Sequence, residues 1–499
     1  MNLHAPFDTF IVGRMAAGKQ QRSSPRGGVR WSAVAFGGGA AVLLIAVATY
    51  VRSPSGRAMP PEAPPVAPSS RTASSSESVS PPQATPPPRQ ESYNVILITV
   101  DTLRADLGFA GYPRPVTPNL DGLAARSTVF ERAYSLASYT SKSLGPMLIG
   151  RYCDETMRDS AHYTTYYPGN MFFAERAQAA GVRTLGGMCQ RYFKWPTGLS
   201  SGFDVWDSSA IVPGMTDDGI STTSDRLSDV ALSLLADPAN TSPSRDDAGA
   251  PDGSAPGELT NGPRRFFAWF HYYDPHSQYV HHEGAPDFSA FDAGGPARRD
   301  LYDEDVWFTD QQIGRVLDFI AEQPWSDDTS IIVTADHGEA FGEHGFYKHG
   351  RELWEPLIRV PLVVYVPGQA PRRVPVERSA IDIAPTILDL LHVATPPGAL
   401  RGTSLLSDVR ALPDAGYAQR DVYVDMPAGP YNELRRALIY GPSPGMKLIS
   451  YRDERYELYD LATDPSEEHD LSSDSDKKQE ALERLHGLRA TLDERAPWN

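Results

Sequence analysis

Two stretches decide the fold: Asn94-Val-Ile-Leu-Ile-Thr-Val-Asp101 and Ser330-Ile-Ile-Val-Thr-Ala-Asp336. Each is a largely apolar run, rich in Val and Ile, that stops at a carboxylate. A strand covered on one face alternates apolar and polar residues, whereas a near-continuous apolar run reads as a central strand of a parallel sheet covered on both faces. In open α/β sheets, ligands bind just beyond the carboxyl ends of such strands. The first run continues Thr102-Leu-Arg-Ala-Asp106 and the second His337-Gly-Glu339. Asp101, Asp336 and His337 therefore arrive together from distant parts of the chain. Two anionic oxygens and a neutral nitrogen form a donor set for a divalent cation.

Composition limits what such a site can serve. Across 499 residues, 46 Lys and Arg face 63 Asp and Glu, a net charge of −17. Nucleic acid is excluded as the main partner, because phosphate backbones need basic surface. A hydrophobic content of 40% suffices for a large core. Two cysteines, Cys153 and Cys189, make neither a disulfide framework nor a thiolate cluster.

The N-terminus differs from the rest. Residues 1–30 form a basic leader with Arg14, Lys19, Arg22, Arg26 and Arg30. The uncharged run 31–51 is long enough to span a bilayer as a helix, and the basic flank orients it with the leader in the cytoplasm. Ala46-Val47-Ala48 offers a small-x-small cleavage site, the rival reading, but its lateness favours a retained signal anchor. Residues 52–91 are rich in Pro and Ser and read as an extended spacer. The expected localisation is a single-pass membrane protein with its globular part in the periplasm or outside the cell.

Beyond residue 92 strands and helices alternate. Helical patterns fall near 119–126, 171–180, 226–236 and 303–322, and strand-like runs at 265–273 and 361–366. This rhythm predicts an α/β unit, a central mostly parallel sheet flanked by helices, over 92–400. A segment at 241–263 reads as a disordered surface insertion. From 401 to 499 the pattern changes to short strands at 436–440, 446–451 and 456–461, then a helix at 476–492. A small antiparallel sheet with a terminal helix is expected there.

Four further segments join the two strand ends: Tyr139-Thr-Ser-Lys-Ser-Leu-Gly-Pro-Met-Leu-Ile-Gly150, His271-Tyr-Tyr-Asp-Pro-His276, Gly342-Glu-His-Gly-Phe-Tyr-Lys-His-Gly350 and Glu457-Leu-Tyr-Asp-Leu-Ala-Thr-Asp-Pro465. Taken in order, the six motifs resemble the sulfatase family, within the alkaline-phosphatase-like superfamily of metal-dependent ester hydrolases and transferases. The resemblance runs from Asn94 to the C-terminus. It places Asp101, Asp336 and His337 on metal-ligand positions. Thr102 stands where many members carry a second Asp, which lowers the negative charge and leaves calcium, manganese and zinc all admissible as the single divalent ion. Asp106 reads as a turn or cap residue.

The nucleophile position departs from the family. Sulfatases place a Cys or Ser there, within Cys/Ser-x-Pro-x-Arg, and oxidise it to an aldehyde. The matching residue here is Thr140, with Lys142 and Leu144 in place of the proline and arginine, so the aldehyde is not expected. A threonine hydroxyl instead needs a metal to lower its pKa, and Thr140 joins the metal set for that reason. Thr140 also opens a helix whose free N–H groups can receive a tetrahedral anion, with Pro146 expected in or near the first turn. Ser141 is the alternative nucleophile. The resemblance further implies that His276 contacts the substrate or protonates the leaving oxygen, with Asp274 orienting it or capping the turn. Lys348 would hold an ester oxygen, and the altered spacing to Leu353-Trp354-Glu355 makes His349 the other candidate for that duty. His281, His282 and His344 receive no role.

The expected function is a membrane-anchored, metal-dependent hydrolase of sulfate or phosphate esters of a small molecule, glycan or lipid. The alternatives are a phospho-alcohol transferase acting on an envelope glycan or lipid, and a non-catalytic binding module. Threonine lacks the second hydroxyl through which an aldehyde hydrate expels sulfate, so the chemistry leans toward phosphate.

Overall fold

The computed structural model describes residues 94–214, 222–242, 265–276, 278–290, 297–412 and 415–498, all within one compact unit, Thr85–Asn499. The expected leader, membrane span and spacer, and nearly all of the expected insertion at 241–263, lie outside those residues. Among the described residues no helix is long and apolar enough to cross a membrane.

Nine strands make one mixed sheet. At its centre β1 (Asn94–Val100) runs parallel to both β5 (Phe266–Tyr272) and β6 (Thr329–Ala335). Beyond β5, β3 (Arg183–Met188) and β4 (Val205–Asp207) continue in parallel. Beyond β6, β10 (Leu362–Tyr365) lies antiparallel between β6 and β2 (Thr128–Tyr134). The edge strand β11 (Arg372–Ser379) is parallel to β2, and the two-residue β9 (Arg359–Val360) pairs antiparallel with it. The run expected at 361–366 is thus a strand, but a reversed one. The chain stays at the carboxyl end of the sheet after β6, building the hairpin β7 (Ala340–Phe341) and β8 (Tyr347–Lys348). It returns into the sheet from that same end.

All seven residues of β1 are buried, and alternate side chains enter opposite layers. Val95 and Leu97 pack with Leu144, Phe173 and Ile387, from three helices on one face. Ile96, Ile98 and Val100 pack with Leu120, Leu227 and Ile313 on the other. At roughly 1.5–3 kcal/mol per buried aliphatic side chain, β1 is a rigid mount for whatever follows it.

The second sheet is an antiparallel meander of β12 (Val422–Met426), β13 (Arg435–Tyr440), β14 (Met446–Tyr451) and β15 (Arg455–Asp460). Its Leu438, Leu448 and Leu458, and Ala481 and Leu485 of the helix Ser475–Arg489, join the same layer as Val95 and Leu97. The small sheet therefore shares the main core.

The helix Thr140–Ile149 begins at the threonine, so Pro146 sits in its interior rather than in or near the first turn. Proline has no N–H to give the Lys142 carbonyl, and the helix ends three residues later at Ile149, capped by Gly150, whose φ of +72° suits a left-handed cap. Lys142 is buried, and its Nζ donates to the Pro427 carbonyl (2.7 Å) and Asn432 Oδ1 (2.5 Å) in the β12–β13 loop. Burial pushes this ammonium down to about 8. Because the folded-state value lies below the unfolded one, near 10.5, the associated stability is present above the unfolded value and lost as pH falls through about 8. Between about pH 11 and pH 7, wild type is expected to lose about 3 kcal/mol relative to Lys142→Met, read by urea unfolding of both proteins. An unchanged difference would show that burial does not penalise the charge.

Candidate active site

β1 and β6 deliver their terminal acids side by side. Asp101 and Asp336 are buried, and the Thr102 N–H donates to Asp336 Oδ1 (3.3 Å). A third donor comes from β5, where His271 sits in register with Thr99 and Nε2 lies 3.8 Å from Asp101 Oδ2. Ligand atoms of Asp101, His271 and Asp336 all lie within 4.8 Å of one another. Asp101 Oδ1, Asp336 Oδ2 and His271 Nε2 are buried with no hydrogen-bond partner among the described residues. Each such atom costs about 1–3 kcal/mol. Two carboxylate oxygens and an imidazole nitrogen facing one another fit a divalent cation.

The electrostatics agree. Burial alone would raise Asp101, but the three imidazoles around it, His271, His276 and His337, outweigh it and hold the carboxyl well below the usual range. Asp336 is raised, by burial first and by the neighbouring Asp101 second. Two buried carboxylates this close do not both stay charged without a compensating proton or cation.

His337 faces this pair. Its Nδ1 lies 3.0 Å from the Gly338 carbonyl, which can only accept, so Nδ1 carries a proton, and the neutral ring has its lone pair at Nε2. That Nε2 is 3.4 Å from Asp336 Oδ2, 3.6 Å from Asp101 Oδ1 and 3.1 Å from the Thr140 hydroxyl. Thr140 is the first residue of its helix, at the positive end of the helix dipole. Ser141, the alternative nucleophile, turns elsewhere: its hydroxyl donates to the His162 carbonyl (3.2 Å) and to Thr164 Oγ1 (3.3 Å). Leu144, at the family's arginine position, is fully buried in the core.

Above these groups opens a cleft of about 380 Å³ whose walls include Thr140, His276, Lys348 and His349. Lys348 is exposed at its rim, on a left-handed backbone with φ +69°. His349 turns inward: its ring packs on His337 at 4.5 Å and on His276 at 4.8 Å. The His349 Nδ1–H donates to Glu339 (3.1 Å), a buried carboxylate that also accepts from the Tyr279 hydroxyl (2.7 Å). Burial opposes the charge on Glu339, but these bonds and His349 hold it below the usual range. His276 stacks on Tyr273 at 4.7 Å and meets its hydroxyl at 3.1 Å.

Asp274 is a cap, though of a distant element: its carboxylate accepts from the Thr223 and Ser224 N–H groups (2.7 Å each) at the start of the helix Ser224–Ala236. Asp106 pairs with Arg104 and Arg299, away from the acids. His344 stacks on Trp354, while His281 and His282 pair with Glu304 and Asp305. Both cysteines are free and buried.

Three site residues carried no assignment from sequence: His271, Glu339 and Gln190. Gln190, just past β3, donates from Nε2 to Asp101 Oδ2 (3.0 Å). The available signal for His271 was a lone imidazole inside the apolar run Phe266-Phe-Ala-Trp-Phe-His271. Nothing in the sequence marks Gln190.

Comparison with known proteins matches the chain to one family. A family model described as Sulfatase covers residues 93–393, and one described as N-sulphoglucosamine sulphohydrolase, C-terminal, covers 342–494. An uncharacterized sulfatase of Escherichia coli K12, YidJ, is 30% identical over 179 residues, 34% of this chain and 32% of its own length. An N-acetylglucosamine-6-O-sulfatase of Bacteroides thetaiotaomicron is 29% identical over 193 residues, 36% of this chain and 33% of its own. The matched region thus spans about a third of these curated relatives. Among solved structures, the phosphonate monoester hydrolase of Agrobacterium radiobacter superposes with a TM-score of 0.60 at 19% identity, covering 80% of this chain and 95% of that one. With a family model matched over 93–393, well over half its length, the chain belongs to the sulfatase family.

Proposed function

We propose that this protein is a metal-dependent hydrolase of phosphate or sulfate esters, with Thr140 as the nucleophile and phosphate as the better fit. The observation that carries the reading is the Thr140 hydroxyl 3.1 Å from a lone-pair nitrogen of His337, itself within 3.6 Å of both aspartates. A divalent cation held by Asp101, His271 and Asp336 would lower the hydroxyl pKa and neutralise the ester, leaving His337 Nε2 free to accept a proton.

The chain's own residues supply the rest. Thr140 Oγ bonds to phosphorus or sulfur as the ester oxygen departs, and the hydroxyl proton leaves along its existing bond to His337. His276, on the cleft wall, returns a proton to the departing alkoxide. Lys348 and His349 hold the anion's remaining oxygens. Water then displaces Thr140, since threonine has no second hydroxyl with which to expel the group itself. That step is ordinary for phosphate esters. The basic leader and the apolar run 31–51 support a membrane tether with the catalytic unit outside the cytoplasm.

Stripping the purified full chain with a chelator and reloading it with calcium, manganese or zinc tests the reading. Turnover of 4-nitrophenyl phosphate esters is expected to return with at least one ion and to exceed that of 4-nitrophenyl sulfate. Acid quenching should trap phosphothreonine at position 140 in the mass spectrum. If no ion restores hydrolysis of either ester, the proposal falls; product attached to an added alcohol would make the protein a transferase.

A further inference from the structure

Part of the cleft wall is aromatic, and the chemistry above does not use it. Tyr163 lies nearly parallel to Tyr192 (5.3 Å, 20°) and to Trp195 (4.6 Å, 24°). His162 meets Tyr163 at 4.4 Å and lies nearly perpendicular to Tyr431 at 4.8 Å. His162, Tyr163, Tyr192 and Tyr431 all line the same cleft as Thr140. Single exposed aromatics are ordinary on protein surfaces, but these form one contiguous group beside the nucleophile. Tyr431 is 60% exposed and rides on the β12–β13 loop, which Lys142 pins from the nucleophile's own helix. Although the chain carries a net charge of −17, none of the described residues lining the cleft is an Asp or Glu, while Lys348 and Arg351 are among them.

We infer that this wall is a subsite for a six-membered ring in the alcohol portion of the ester, a ring that is neutral or anionic; the inference rests on the reading that Thr140 cleaves esters. Stacking requires a flat face of low polarity, which an aryl ring and one face of a pyranose both offer. Aromatic faces also attract cations. Here, however, the protein's own cations already sit over two neighbouring rings, with Lys142 5.4 Å from the Tyr139 ring and Arg191 4.8 Å from that of Trp195. A quaternary ammonium alcohol would meet Lys348 and Arg351 with no carboxylate on the cleft walls to hold it.

The test compares phosphate esters of 4-nitrophenol, of glucose at its 6-hydroxyl and of choline, using the full chain. Wild type is expected to favour one or both ring esters over phosphocholine, and the one that binds Thr140→Ala more tightly identifies the ring as aryl or pyranose, since 4-nitrophenolate leaves faster whatever the subsite. Tyr431→Ala should lower the ring-to-choline ratio of kcat/KM about tenfold, mainly through KM. Calorimetric binding of the same three esters to Thr140→Ala separates the two failures. If wild type turns over none of the three esters but ring esters still bind tighter than phosphocholine, and Tyr431→Ala abolishes that difference, the subsite stands while the ester-cleaving reading falls. If Tyr431→Ala changes all three esters equally, or phosphocholine binds as well as the ring esters, the subsite is overturned.

Discussion

Thr140→Ala is expected to cut turnover of the best ester by at least about a thousandfold, and to abolish the covalent species trapped by acid. The size follows from what the hydroxyl does. It is the atom that forms the bond, so its removal leaves only charge stabilisation by the surrounding groups. Two features make the variant readable. Thr140 is only half-buried at the first helical position and caps nothing with its side chain, so the fold should tolerate alanine with an unfolding free energy within about 0.5 kcal/mol of wild type. Ser141 cannot readily substitute, because its hydroxyl is tied to the His162 carbonyl and to Thr164. Thr140→Ser should keep the covalent species, with a rate within about tenfold of wild type. Stopped-flow and steady-state rates on one metal-loaded preparation decide the matter, and a Thr140→Ala protein at full rate would assign the bond-making step elsewhere.

Sequence reading went furthest where covalent order and burial coincide. β1 and β6 were legible because both faces of each are covered, which leaves an apolar run ending in acid. Thr140 was legible from the motif ending at Gly150, through its resemblance to the family's nucleophile segment. What depends on pairing between distant segments was not legible. His271 reads as one more residue of an apolar strand until its register against Thr99 puts it beside Asp101. Gln190 follows a strand with no mark of its own, and it matters only because β3 lies next to β5. The antiparallel return of β10 depends on where the intervening chain goes, not on its own residues. Likewise, the buried Lys142 acquires meaning only from the small sheet, whose loop brings Pro427, Tyr431 and Asn432 to the cleft. Helix and strand periods describe one element at a time, and the walls of this cleft come from six separate segments of the chain.

Asp336→Asn should move stability in opposite directions depending on the metal, and that sign change is a sharper mark of a functional site than lost activity. In chelated protein Asp336 is a buried carboxyl beside Asp101, with its pKa raised by burial and by that neighbour. A raised value means that the charged form is penalised: the penalty is absent below the unfolded value near 3.8 and grows as pH rises through the folded one. Asparagine removes it. Its Oδ1 keeps the bonds from the Thr102 and His337 N–H groups, and its amide can donate toward the unpartnered Asp101 Oδ1. A gain of about 1–3 kcal/mol is expected at neutral pH, vanishing below about pH 4. Asp101→Asn should do the reverse in the same buffer. Asp101 is held below its ordinary value, with Oδ2 accepting from Gln190, so the native state favours its charged form and asparagine forfeits that preference. With a divalent ion at a hundredfold over its Kd, wild type gains about 2.7 kcal/mol and should overtake Asp336→Asn, which has lost an anionic ligand and with it the turnover. Urea unfolding of the three proteins, with chelator and with ion, shows whether the order reverses. If Asp336→Asn is the less stable protein in both buffers, the two acids form an ordinary hydrogen-bonded cluster and not a site built around positive charge.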